Sequence, residues 1–174
     1  MKRRDLEHII RAAGAVTESD ELIIIGSQAI LGQWPEAPVE LLQSTEADII
    51  PVEHPDRADL IAGVIGEGSP FHEQYGYYAD GVEERTAILP RGWKSRLVPI
   101  VNPNTRGIRG LCLDVHDLLI AKYCAARPKD LEFTAAVARH GLADEGTLLQ
   151  RLTETDLEAE NRKQVRARIQ RDFT

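Results

Sequence analysis

Hydrophobic positions near the start of the chain recur at helical spacing. Leu6, Ile9, Ile10 and Ala13 fall three or four residues apart among charged residues, which predicts an amphipathic helix over residues 3–13 with Gly14 as its stop. Thr17 to Asp20 is a polar turn. ELIII at 21–25 is a short β-branched run closed by glycine, too brief for a core helix, and predicts a buried strand. A short helix follows over 28–33 and is broken by Pro35 and Pro38, after which 39–43 reads as a linker or short strand. TEADIIPV at 45–52 has strand character up to Pro51, and 56–65 has helical character. Gly66, Gly68 and Pro70 mark a loop, followed by strand candidates at 75–79, 86–89, 97–101 and 110–113.

From Asp114 the pattern turns helical, with helices over 115–126, 128–140, 144–152 and 156–171, the second closed by Gly141. The expected fold is therefore α+β, a mixed sheet flanked by helices with a C-terminal helical extension. An α/β core at 1–113 and a helical part at 114–174 packed on it are expected to form one compact unit. No internal repeat is present.

At 174 residues the chain fits one domain with a sizeable core. No stretch approaches the roughly 18 uninterrupted apolar residues of a membrane span, and residues 1–13 lack a signal-peptide core, so the expectation is a cytoplasmic protein with no membrane partner. Cys112 and Cys124 have no metal-ligand spacing and read as buried thiols. A net charge of −7 argues against a protein that coats nucleic acid. Arg91, Lys94, Arg96, Arg106 and Arg109 lie close in sequence, either as a patch for an RNA end or as scattered surface charge.

Three features carry chemistry. At Gly26-Ser27, glycine permits a tight strand-to-helix turn, and the helix start offers N–H groups and a hydroxyl to a phosphate; Ser27 as a plain N-cap is the structural alternative. In Glu46-Ala47-Asp48 the acids are two apart on a strand and point to one face, where their repulsion is relieved by a hard cation such as Mg²⁺; a solvated edge strand is the alternative. Lys122 lies in a helix that is apolar on most sides and must snorkel or meet an anion, with Arg127 and Asp130 close behind. Asp114 and Asp117 fit the N-cap and N3 positions of that helix. His72, Trp34 and Trp93 read as local hydrogen bonding and packing. No GxGxxG follows the first strand, which disfavours a dinucleotide oxidoreductase.

Taken together, IIIGSQAI, TEADII and DLLIAKYCAARPKDLEF resemble the nucleotidyltransferase superfamily with the DNA polymerase β-like fold. Among its branches they resemble the AbiEii-type nucleotidyltransferases, and specifically the DUF6036 family, over about residues 22–142. GEGSPFHEQYGYYADGV and LPRGWKSRLVP are family-like as well. The resemblance implies that Gly26 and Ser27 grip the triphosphate of an NTP, that Glu46 and Asp48 hold Mg²⁺ or Mn²⁺, and that Lys122, Arg127 and Asp130 complete the site. It also implies nucleotide transfer to an RNA, for example a tRNA end, or to a protein hydroxyl. A toxin–antitoxin or phage-defence setting, with a cognate antitoxin as partner, is implied by family alone. The alternative is a catalytically silent nucleotide-binding or scaffold protein. The chain departs from the pattern in having Glu46 in place of the usual aspartate and eighteen residues between Ser27 and Glu46. A third carboxylate falls to Asp80 or, in its place, Asp130.

Overall fold

In the computed structural model, which describes all 174 residues, the ELIII run becomes β1 (Glu21–Ile25). Four of its five residues are buried, which its β-branched side chains favour in a strand covered on both faces. β2 (Glu46–Pro51) pairs with β1 antiparallel, setting Ile25 opposite Asp48. β3 (Tyr78–Gly81) runs parallel to β2, with Glu46 opposite Tyr78 and Asp48 opposite Asp80. β4 (Val98–Ile100) is antiparallel to β5 (Arg109–Cys112), which lies parallel to β1. The sheet order is β3-β2-β1-β5-β4.

Register partners share a face, so the sheet has a chemical face bearing Ile25, Glu46, Asp48, Tyr78 and Asp80, and an apolar one bearing Ile24, Ala47 and Ile49. α1 (Arg3–Thr17) covers the apolar face. It comes so close at Gly110 that a Cβ there would lie 2.3 Å from Ile10 Cδ1. α2 (Ala58–Ile65) packs against Gly81 on the same side, where a Cβ would lie 1.9 Å from the Ala58 carbonyl oxygen. α3 (Pro70–Tyr75) joins α2 to β3. α4 (Val115–Ala125) lies over the chemical face, followed by α5 (Pro128–Arg139), α6 (Glu145–Thr153) and α7 (Ala159–Asp172). One cluster of 34 buried apolar side chains runs from Leu6 in α1 to Ile169 in α7, so the mixed sheet flanked by helices and the helical extension share a core. This is an α+β architecture consistent with a nucleotidyltransferase-like fold.

The departures from the sequence reading have local causes. Gly14 does not stop α1: its missing Cβ makes room for Ile108, 2.9 Å from where that atom would lie, and the helix runs on to Thr17, closed by Glu18, which is left-handed at φ 54°. The expected helix at 28–33 is a 3₁₀ helix, Ser27–Gly32. The loop around Pro70 contains α3, started by Ser69, whose side chain accepts from the His72 N–H with proline following at N1. That helix takes up Tyr75 and delays the strand to Tyr78. Residues 86–89 form no strand: Glu84–Thr86 is a 3₁₀ turn and the rest is irregular.

Candidate active site

The site begins at the mouth of the β1–β2 pair. Glu46 and Asp48 project from the chemical face, and the β2–β3 register sets Asp80 directly opposite Asp48. Burial, the Asp48 charge and an Asp80 carboxyl within hydrogen-bonding reach push the Glu46 pKa from 4.5 up to about 7. Burial and Asp80 also raise Asp48, against the pull of Lys122, Lys129 and Arg127. Three carboxylates crowded on one face is the arrangement that a cation relieves.

Gly26 ends β1 with φ 74° and ψ −177°, a region essentially reserved for glycine, and a Cβ there would sit 2.2 Å from Asp48 Oδ2. Glycine is therefore needed twice, for the turn and for the close approach of backbone to acid. Gly26 rather than Ser27 holds the N-cap position, and no side chain caps the helix. Because that helix is one short 3₁₀ segment, little macrodipole reaches a ligand, and the contribution falls to backbone N–H groups and the Ser27 hydroxyl.

The long span between Ser27 and Glu46 forms a wall. Its Glu40 carboxylate takes Arg139 at 2.8 Å and also His140, both at the end of α5. Ser44 accepts from the Gln28 amide at 3.2 Å and from the N-terminal ammonium at 2.9 Å. The wall, the acids, Gly26-Ser27 and the start of α5 enclose a cavity of about 960 Å³.

Opposite the acids stand the cations. Lys122 is the buried lysine of α4, its side chain 11% exposed, and the anion it meets is Asp130: Nζ donates to Oδ1 at 3.1 Å and lies 4.6 Å from the centroid of Phe133. Arg127 donates to the same carboxylate at 2.6 and 3.2 Å while remaining mostly exposed. Burial lowers the Lys122 pKa against the opposing pull of Asp130. Burial also works against ionised Asp130, but Arg127 and Lys122 outweigh it and hold that carboxyl below its ordinary value. Of the two candidates for a third acid, Asp80 thus joins Glu46 and Asp48, whereas Asp130 is the counter-ion that steadies two cations.

Gly26, Ser27, Glu46, Asp48, Lys122, Arg127 and Asp130 all line the one large cavity, so the residues singled out from sequence converge, with Asp80 adjoining through the β2–β3 register. Lys129, Arg139 and Arg171 line it too and were not singled out. Lys129 lies in the same RPKD stretch as Arg127 and was within reach of the motif; Arg171, in the charged last helix, carried no signal. The Arg91 to Arg109 group forms no common patch: Lys94 pairs with Glu84, Arg96 with Asp117 and Arg109 with Glu21. Asp114 caps α4 through the His116 N–H, and His72 accepts locally from the Gly68 N–H. Asp117 occupies N3 but is drawn into an ion-pair cluster.

The donor set suits Mg²⁺ or Mn²⁺. Mg²⁺ binds through one or two carboxylates and completes its octahedron with water and substrate phosphates, which Glu46 and Asp48 beside a large open cavity permit. No three His, Cys, Asp or Glu side chains form a closed protein-only cage, so a cation at Glu46 and Asp48 would complete its shell with water and phosphate, with Asp80 beside them across the β2–β3 register. No helix is long and apolar enough to cross a membrane.

No curated protein and no solved structure matches the chain. A family described as "Nucleotidyltransferase of unknown function (DUF6036)" matches residues 4–172, extending the likeness beyond the motif-bearing stretch to α1 and α7. With almost its whole length matched and the strand-end glycine, paired acids and cations meeting in one cavity, the chain belongs to the DUF6036 nucleotidyltransferase family.

Proposed function

We propose that the protein transfers a nucleotide from an NTP to a hydroxyl of an RNA or a protein, with Mg²⁺ or Mn²⁺ held by Glu46 and Asp48. The observation that carries this reading is that paired strand acids, Gly26-Ser27 and a buried lysine all line one cavity. When bound, the metal supplies charge neutralisation and orientation of the phosphates. Gly26 and Ser27 grip the triphosphate with backbone N–H and hydroxyl groups. Lys122, Arg127 and the exposed Lys129 offset the charge that develops on the phosphates, and Asp130 fixes the first two in place. Asp80 accepts the proton of the attacking hydroxyl, aided by its place opposite Asp48. Pyrophosphate then leaves.

The alternative of a silent nucleotide-binding protein rests on the lack of a third acid, and the Asp80 register weakens it. A toxin–antitoxin role, with a cognate antitoxin suppressing transfer, belongs to the same reading and is supported by resemblance only. The test incubates the chain with each labelled NTP, Mg²⁺, total RNA and total protein. Mg²⁺-dependent label on one macromolecule, lost in Asp48→Ala, is expected. Full transfer by Asp48→Ala would overturn the assignment.

A further inference from the structure

A second cavity, of about 230 Å³, opens beside Asp48 between α4 and the irregular segment that follows β3. It meets the large cavity at Gly26, Asp48, Lys122, Arg127 and Asp130, which line both. Every other residue around it is uncharged, and Ala87, Ile88, Leu118, Ala121 and Ala125 make its walls largely apolar. Lys122 and Arg127 stand at the boundary of both cavities, but Ser27, Lys129 and the greater volume belong to the large one alone, so that side suits a triphosphate better than the slot does. A phosphorus held at the acids then has its leaving group in the large cavity and an attacker entering from the slot. Separate spaces for attacker and leaving group meeting at Asp48 are what an in-line displacement requires.

The geometry points to the slot as the acceptor subsite, taking a phenolic hydroxyl such as that of a tyrosine side chain in place of an RNA end. The inference rests on the nucleotidyltransferase reading above. A phenol joins an apolar body to a polar tip, matching apolar walls that end at Asp48. An RNA end brings phosphates that require clustered free cations. The chain leading into the slot instead carries Glu83 and Glu84, paired with Arg85 and Lys94, and nearby Arg96 is occupied by Asp117. In the step, the phenol oxygen bonds to the α-phosphorus, the bond from that phosphorus to the bridging oxygen breaks, and pyrophosphate departs. The phenol proton passes to Asp80, which lies outside the slot's lining but opposite Asp48, where the slot ends.

The experiment supplies the full chain with Mg²⁺ and each labelled NTP, and offers N-acetyltyrosinamide, a tyrosine-bearing peptide or total RNA as acceptor. Label on the phenols and none on RNA is expected, and the amide and peptide arms separate a free phenol from a polypeptide one. Ala87→Phe and Ala125→Phe, on opposite walls at half-buried and exposed positions, are expected to lower phenol labelling by about tenfold or more while keeping the wild-type rise in Tm with Mg²⁺-NTP. Label on RNA alone overturns the inference and leaves the transferase reading standing. So does loss of the NTP-induced rise in two variants that still fold, because the slot would then hold part of the nucleotide. A wild-type chain that neither binds NTP nor labels any acceptor would remove both.

Discussion

Two buried aspartates, each set between two cations, stand at different ends of α4. Asp117 takes Arg96 through both oxygens at 2.8 and 2.9 Å, with Arg151 at 3.3 Å; both arginine side chains are at most 20% exposed, and neither cavity reaches them. Asp130 takes Lys122 and Arg127, but Arg127 is 62% exposed and both cations line the cavities. The first cluster ties the chain before β4 and helix α6 to α4, closed on all sides. The second leaves its cations facing the acids across open space. The same charge motif is a structural clasp where it is sealed, whereas the open side leaves two cations available to the phosphates of the proposed reaction.

Removing each anion tests this contrast most strongly. Asp117→Ala leaves the largely buried Arg96 without a counter-ion and Arg151 with Glu154 alone, and is expected to cost about 3 kcal/mol or more by denaturant unfolding. Asp130→Ala is expected to cost less, because Arg127 already meets water, and Mg²⁺-NTP is expected to recover part of the loss. Equal losses, with no recovery by nucleotide at Asp130, would erase the distinction.

Lys122→Met sharpens the comparison from the cation side. Arg127 still bonds both Asp130 oxygens, so stability is expected to hold within about 1 kcal/mol, while a charge-assisted phosphate contact of roughly 1.5 to 3 kcal/mol is lost and NTP binding weakens about ten- to a hundredfold. Arg96→Met is expected to do the reverse, lowering stability without changing NTP affinity. Titration calorimetry with Mg²⁺-NTP on both variants reads this directly, and an unchanged Kd in Lys122→Met would take the lysine out of the site.

Gly26→Ala concerns the acid side of the open cluster. The strained φ is expected to cost about 1 to 3 kcal/mol, and the new Cβ must displace Asp48, so the rise in Tm with Mg²⁺-NTP is expected to vanish even where the variant folds. A normal rise would mean that Asp48 does not hold the metal.

The smallest expected effect is in pH. The folded chain holds the Glu46 proton more tightly than the unfolded one, so the stability this gives is full below about pH 4.5 and is lost as pH rises through about 7. Asp48 acts in the same direction. The metal-free chain is expected to lose Tm across that window, and Glu46→Gln to flatten the slope. Protons compete with the cation, so stabilisation by Mg²⁺ is expected to grow from about pH 5.5 to about pH 8. A larger Mg²⁺ effect at the acid end would contradict the assigned ligands.

Local chemistry made much of the molecule legible in the sequence. β1, β2 and the four C-terminal helices follow from periodicity and stop signals acting within a few residues, and the Glu46–Asp48 pair from the alternation of a strand. What depends on distant partners was not legible. Gly14 is a packing glycine that admits Ile108 from far along the chain rather than a helix stop, and the Ser69-Pro70 start of α3 was masked by flanking glycines. Asp80 was already a candidate third acid in the sequence, but only pairing of β2 with β3 sets it beside the other two, and only the packing of α4 against α5 made Asp130 a counter-ion to Lys122. Sequence spacing determines which residues share a face of one element. The meeting of faces from separate elements is settled by strand register and helix packing, which depend on the burial of the whole core.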